Sequence, residues 1–173
     1  MRRHELKVAL RAAALVSGER EFLLIGSQAV HAHCRRPPAE VLLSQECDVY
    51  PRHVPQTANL LHSQLGRGSK FARRHGFHVD VVTPALASLP KGWEERLAPL
   101  RVGKVTAYCL EIHDLLVSKL AAGRLKDLEF AAAILKRRIA SAARLRRRIN
   151  QFPLERERPR LRAQLNLVLQ NID

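Results

Sequence analysis

Three acidic residues inside apolar, strand-forming stretches constrain the fold of this chain more than any other feature of its sequence. Glu46 and Asp48 alternate with apolar residues in ECDVY, and Asp80 lies between valines in FHVDVV. Side chains two apart on a strand point to the same face, so Glu46 and Asp48 share one face of theirs. A carboxylate in the middle of an apolar strand is costly unless it is paired or bound to metal. The pattern predicts either a metal site or acids on the solvent side of an edge strand.

A divalent cation would resolve the repulsion between these acids. Two neighbouring carboxylates disfavour each other's ionised form unless a positive charge neutralises them, and Mg²⁺ prefers carboxylate oxygens as ligands. Two acids on one strand and a third on a neighbouring strand form the geometry of a two-metal centre for phosphoryl transfer. We therefore predict that Glu46, Asp48 and Asp80 are catalytic and bind Mg²⁺ or Mn²⁺.

The periodicity of apolar residues predicts strands in the first part of the chain and helices in the last. Alternation and short apolar runs bounded by Gly or Pro indicate strands and one hairpin, over residues 22–25, 46–50, 77–82, 97–102 and 105–110. Helical spacing with Gly or Pro stops indicates helices, over residues 6–16, 27–34, 55–65, 112–122, 125–139, 141–151 and 157–169. This order predicts an α+β fold with a core over residues 1–110 and a helical C-terminal part over residues 111–173.

The charge of the chain favours a polyanionic partner. Lys and Arg number 30 against 16 acidic residues, which gives a formal net charge of +14. The C-terminal part is Arg-rich from residue 136, and guanidinium groups match the geometry of phosphate. We predict RNA binding by six of these arginines, with a solvated helical face as the alternative: Arg137, Arg138, Arg144, Arg146, Arg147 and Arg148.

Cysteine usage and hydropathy set further bounds. The three cysteines are widely spaced and form no CxxC pair, which indicates neither a disulfide framework nor a zinc ribbon. The sequence has no apolar run of the ~18 residues that a membrane span needs. We therefore expect a cytoplasmic protein without a membrane partner.

The ordered motifs resemble a known family. A strand that ends in Gly26-Ser27 precedes the acids of ECDV and VDV, and this order is similar to that of the nucleotidyltransferase superfamily typified by DNA polymerase β. The stretch LEIHDLLVSKLAAGRLKDLEFAAAIL, residues 110–135, resembles a helical segment of small bacterial nucleotidyltransferases, including the abortive-infection toxin type. The loop LPKGWEERL, residues 89–97, is also similar to theirs. The resemblance covers about residues 20–140 and implies a small mixed sheet flanked by helices.

The resemblance also implies roles for residues around the acids. Gly26 would let the triphosphate of an NTP approach the backbone, and Ser27 would bind a phosphate at the start of the following helix. Lys119 and Lys126 lie seven apart, which predicts that they share a helical face, with Asp127 adjacent to orient one of them. These five residues are the predicted nucleotide-binding residues.

The function that the resemblance implies is transfer of a nucleotidyl group from an NTP to an acceptor hydroxyl. The basic tail favours RNA, such as a tRNA end, as acceptor. The alternatives are modification of a protein, such as a partner toxin or antitoxin, and a non-catalytic, basic nucleic-acid-binding protein of this fold. Two departures from the family pattern bear on activity: the long interval between Ser27 and Glu46, which requires an extra loop, and a Glu as the first acid.

Overall fold

A computed structural model describes residues 1–172, and its α+β architecture confirms the predicted fold class. The sheet has five strands: β1 (Glu21–Leu24), β2 (Glu46–Pro51), β3 (His78–Val81), β4 (Ala98–Val102) and β5 (Val105–Cys109). The helices around it are α1 (Arg3–Ser17), α2 (Ala58–Leu65), α3 (Lys70–His75), α4 (Ile112–Ala122), α5 (Leu125–Lys136), α6 (Ala142–Asn150) and α7 (Arg158–Gln170). None of these helices combines the length and the apolar character needed to cross a bilayer.

The sheet is mixed, and its topology places the acid-bearing strands together. The strand order is β3-β2-β1-β5-β4. Strand β1 pairs antiparallel with β2 and parallel with β5, while β2 and β3 are parallel. The predicted hairpin is confirmed, because β4 and β5 pair antiparallel around Gly103, whose φ of 65° suits a residue without a side chain.

One hydrophobic core joins the two parts of the chain that the sequence separates at residue 110. Helix α1 contributes Leu6 and Leu10, which lie one turn apart on its buried face. Helices α4 and α7 contribute Leu116 and Leu165 to the same cluster, and both side chains are fully buried. The helical C-terminal part therefore covers apolar surface that residues 1–110 would otherwise expose to water.

The segment after Gly26 is helical, but it forms a 3₁₀ helix rather than the predicted α-helix. The 3₁₀ helix spans Ser27–Ala32, and Gly26, not Ser27, is its N-cap. Residues 27–31 are buried, and the segment packs against β2 and α4. Tertiary packing here overrides the local preference for an α-helix, and a short 3₁₀ turn has only a weak dipole to offer a phosphate.

The predicted shared helical face for Lys119 and Lys126 is wrong. Helix α4 ends at Ala122, and Gly123 adopts a left-handed conformation with a φ of 65°, so the two lysines lie on different helices. Lys119 is in the last turn of α4, whereas Lys126 and Asp127 are in the first turn of α5. The left-handed glycine ends one helix and lets the next begin at an angle. This break agrees with the predicted helices over residues 112–122 and 125–139, and the prediction of a shared face overlooked it.

The long interval between Ser27 and Glu46 forms a loop that belongs to the site. It contains a 3₁₀ turn over Ala39–Leu42, which contacts α5. The loop thus closes the space between β2 and the helical part.

Candidate functional site

A cavity of about 620 Å³ lies between β2 and the junction of α4 with α5. Its lining includes every predicted metal-binding and nucleotide-binding residue except Asp80, namely Gly26, Ser27, Glu46, Asp48, Lys119, Lys126 and Asp127. Elements that are distant in the chain therefore converge on one concavity, as expected of a ligand site.

The acidic wall of the cavity follows from the register of β2 and β3. Asp48 pairs with Asp80, and Glu46 pairs with His78. Residues in register on parallel strands point to the same face, so all four side chains share one side of the sheet. Asp80 is 32% exposed and lies beside the cavity. The three acids are thus adjacent, as the sequence predicts.

A glycine is required at position 26 for a steric reason that the sequence does not reveal. A Cβ built on Gly26 would lie 1.6 Å from Oδ2 of Asp48, so any side chain here would displace that carboxylate. The backbone N–H of Ile25 donates to the carbonyl oxygen of Asp48 at 3.1 Å and holds the two strands in this position. Position 26 must therefore be glycine to leave room for the Asp48 side chain. The approach of phosphates to Gly26 stays a prediction.

The surroundings of Asp48 disfavour the ionised form of its carboxyl. Burial, with the negative charges of Glu46 and Asp80 adding to it, raises the pKa of Asp48 to about 6, although Lys119 opposes the shift. A carboxyl with this pKa is close to half protonated near pH 6. A cation beside it would restore the ionised form, which is the electrostatic behaviour of a metal-binding carboxylate.

The opposite wall is basic and is organised by one buried acid. Asp127 is fully buried; Lys119 Nζ lies 2.9 Å from its Oδ1, and Arg124 Nε lies 2.6 Å from its Oδ2. Burial would raise the pKa of Asp127, but the hydrogen bonds from Arg124 and Lys119 outweigh it and lower the pKa. Asp127 therefore orients Lys119 across the two helices.

A third basic residue already contacts the acidic wall. Arg67, in the turn between α2 and α3, places Nη2 3.1 Å from Oε1 of Glu46. Its side chain is 77% exposed, so the ion pair contributes little to stability and is easily broken. A guanidinium here occupies space that a bound cation would need.

Sequence reasoning missed three residues of the site. His78 lies two positions before Asp80 on β3, so the same alternation that joins Glu46 and Asp48 would have found it. Arg124 stands within the RLKD stretch beside Asp127. Arg67 carries no local signal, because only the folded chain brings it to Glu46.

The predicted RNA-binding arginines divide into two groups. Arg137, Arg138, Arg144, Arg146 and Arg147 are exposed. Arg148 differs from them, since its Nε lies 3.1 Å from Oδ1 of the fully buried Asp114. Arg96, from the loop that precedes β4, contacts the same carboxylate at 2.8 Å. Arg148 therefore ties α6 to α4, which separates it from the five exposed arginines.

The family to which the chain belongs agrees with this site. A family model described as nucleotidyltransferase of unknown function (DUF6036) matches residues 5–151. The chain thus belongs to this family, which confirms the resemblance to the nucleotidyltransferase superfamily. No curated protein and no solved structure matches the chain significantly.

Proposed function

We propose that this protein transfers a nucleotidyl group from an NTP to a hydroxyl group of RNA, in a reaction that depends on Mg²⁺ or Mn²⁺. The observation that carries the proposal is one cavity with carboxylates on one wall and Lys119 and Lys126 on the other. A divalent cation with a triphosphate is a ligand whose charges suit both walls.

The residues present fit a divalent cation. Asp48 is partly buried beside Glu46 and Asp80, and burial together with the charges of these acids raises the pKa of its carboxyl. A bound cation would offset both effects. When bound, the cation would neutralise the phosphates and make the acceptor hydroxyl a better nucleophile. Glu46, Asp48 and Asp80 would hold it, and Arg67 would leave Glu46.

The nucleotide would lie along the basic wall. Lys119 and Lys126 supply positive charge for the phosphates, and Asp127 fixes Lys119 in place. Ser27 offers its hydroxyl and its N–H to a phosphate oxygen.

The reaction forms a bond between the acceptor oxygen and the α-phosphorus of the NTP. The bond from that phosphorus to the oxygen that bridges it to the β-phosphate breaks, and pyrophosphate leaves with the electron pair. Asp80 is partly exposed, which suits it to take up the hydroxyl proton or to hand it to solvent.

The exposed arginines favour RNA as acceptor. They lie at the far end of α5 and along α6, whereas Lys126 begins α5 at the cavity. Arg137 follows Lys126 by eleven positions along α5 and its C-cap, which is a rise of about 16 Å. An RNA held on this face by backbone contacts would reach the cavity with a protruding end, as a tRNA has.

The test uses an NTP labelled at the α-phosphate, purified protein, and RNA that includes tRNA, with Mg²⁺ or Mn²⁺. We expect label in RNA with the wild type, none with Asp80→Asn, and wild-type transfer with the control Glu94→Gln, which removes an exposed acid outside the cavity. Label in a protein fraction would overturn RNA as acceptor and favour a partner such as a toxin or antitoxin. No label with any acceptor, while RNA is bound, would leave a non-catalytic nucleic-acid-binding protein.

A further inference from the structure

His78 is a buried polar residue that lines the cavity and takes no part in the proposed reaction. It lies on β3 in register with Glu46 and on the same face as Asp80. Its side chain is only 7% exposed, yet it contributes to the lining of the cavity. A buried imidazole that faces a cavity needs a partner for each ring nitrogen.

The Nε2 atom of His78 lacks such a partner within residues 1–172. It makes no hydrogen bond of acceptable geometry, although Oδ2 of Asp80 lies 3.3 Å away. Leaving a buried polar nitrogen without a partner is costly, so such an atom requires an explanation. A cation that binds this nitrogen is an explanation that the neighbouring residues support.

The neighbours of His78 are metal ligands in their chemistry and their spacing. One ligand atom each from Glu46, His78 and Asp80 lies within 4.8 Å of the other two. Two ligands of one ion at bond lengths near 2.1–2.2 Å are separated by at most about 4.4 Å, so small side-chain rotations bring all three atoms into range. The exposed Arg67 can leave Glu46 at little cost.

We propose that His78 binds the metal ion together with Glu46 and Asp80, and that this position therefore prefers Mn²⁺ to Mg²⁺. The inference rests on the proposed function and specifies its cofactor. Mg²⁺ takes oxygen ligands and demands a nearly ideal octahedron. Mn²⁺ also binds carboxylates, but as a transition-metal ion it accepts one imidazole nitrogen among them more readily than Mg²⁺ does. Asp48 lies outside this group of three but lines the same cavity, so in this proposal it adds a further carboxylate ligand to the ion.

The competing role for His78 is to donate a hydrogen bond to Asp80 and orient it, without contacting the ion. Both roles lower activity when His78 is replaced, so activity does not distinguish them. A nitrogen atom bonded to Mn²⁺ does, because its nuclear spin couples to the unpaired electrons of the metal.

The experiment is pulsed electron paramagnetic resonance of the protein loaded with Mn²⁺ alone, without nucleotide. We expect coupling from a directly bound nitrogen in the wild type, and a changed coupling when histidine carries ¹⁵N. We expect the coupling to disappear in His78→Gln and to persist in His4→Gln, which replaces an exposed histidine on α1. Mn²⁺ affinity should fall about 10-fold or more in His78→Gln, and Mg²⁺ affinity should fall less.

A wild-type protein that binds Mn²⁺ without nitrogen coupling would overturn the inference. This result is obtained on the wild type alone, so it does not depend on whether any variant folds. Equal Mn²⁺ affinity in wild type and His78→Gln would overturn it as well. If nucleotidyl transfer persists in either case, the proposed function stands while the inference fails. Nitrogen coupling in a protein that transfers no label would instead retain the metal ligand and remove the function.

Discussion

At the scale of single residues, the requirements of folding and of function conflict at Asp48. The carboxyl is partly buried against Gly26 and close to two other acids, and its pKa is raised to about 6. A group whose pKa is higher in the folded state stabilises the fold fully below its unfolded pKa and loses that contribution as pH rises through the folded value. The metal-free protein should thus lose stability between about pH 4 and pH 6 through Asp48.

We predict that Asp48→Asn stabilises the metal-free protein at pH 8 by on the order of 2–3 kcal/mol and removes its Mn²⁺ binding. The amide keeps the shape of the side chain but carries no charge to desolvate. Urea unfolding at pH 4 and pH 8 measures the first effect, and calorimetry measures the second. The gain at pH 8 should vanish at pH 4, and Glu94→Gln, which changes an exposed acid, should show neither effect. Undiminished Mn²⁺ binding in Asp48→Asn would contradict the assignment of Asp48 to the metal site.

The close approach of Gly26 to Asp48 gives a second prediction. Gly26→Ala should displace the Asp48 carboxylate, because the new Cβ would lie 1.6 Å from its oxygen. We expect Mn²⁺ affinity to fall at least about 10-fold, as when groups that orient a ligand are removed. The control is Gly18→Ala, where the added Cβ has no atom within 4 Å and only the left-handed backbone is strained. Gly26→Ala with wild-type Mn²⁺ binding would show that Asp48 can move without consequence.

At the scale of elements, the junction of α4 and α5 joins the helical part to the site. Asp127 lies in the first turn of α5 and accepts hydrogen bonds from Lys119 on α4 and from Arg124. The bond from Lys119 spans the left-handed Gly123, so the angle between the helices sets the position of the lysine.

We predict that Asp127→Asn lowers stability by about 1–3 kcal/mol, because Lys119 then loses its buried partner. NTP affinity should also fall, since Lys119 is no longer fixed beside the cavity. Glu129→Gln is the matched control for stability on the same helix, an exposed acid that makes no ion pair among residues 1–172. Thermal unfolding and equilibrium NTP binding check the two effects. A variant with lowered stability and unchanged NTP affinity would show that the junction has no part in nucleotide binding.

The sequence predicts the strands of this fold well because each carries its own local signal. Apolar alternation with Gly or Pro boundaries marks β2, β3 and the hairpin, and the acids interrupt that alternation visibly. The 3₁₀ form of the helix after Gly26 was missed because packing decides it. The break at Gly123 agrees with the predicted limits of the helices over residues 112–122 and 125–139, whereas the predicted shared face of Lys119 and Lys126 did not take that break into account. The ion pairs of Asp114 could not be predicted, because Arg96 and Arg148 both lie far from Asp114 in the chain and only the folded structure brings them to it.

At the scale of the whole molecule, the arginines have two different effects that one experiment separates. Arg144→Gln, Arg146→Gln and Arg147→Gln together should weaken RNA binding and leave stability unchanged, because these side chains are exposed. The slope of the log binding constant against log salt should become shallower by about 0.7 for each phosphate of single-stranded RNA that an arginine no longer neutralises. A slope equal to that of the wild type would show that these arginines only face solvent.

Arg148→Gln should behave in the opposite way. The fully buried Asp114 would keep only Arg96 as its partner, and this change should cost about 1–3 kcal/mol of stability. The salt dependence of RNA binding should remain that of the wild type. Thermal unfolding and RNA titration measure the two effects. The triple variant is the control for Arg148→Gln, and Arg148→Gln is the control for the triple variant. A reduced slope without a decrease in stability in Arg148→Gln would return Arg148 to the RNA-binding face.

The parallel pairing of β1 with β5 has a consequence for how this chain is made. One edge of β1 pairs with β2, which follows soon after it in the chain. The other edge can pair only after β5 has been synthesised, because β5 supplies Thr106 as the partner of Glu21. At the ribosomal rate of about 5–20 residues per second, that edge stays unpaired for several seconds on the nascent chain. An unpaired apolar edge can join a neighbouring chain on the same polysome. Slow translation or crowded ribosomes should thus reduce the yield of this protein through association of incomplete chains, before its finished sheet can exclude them.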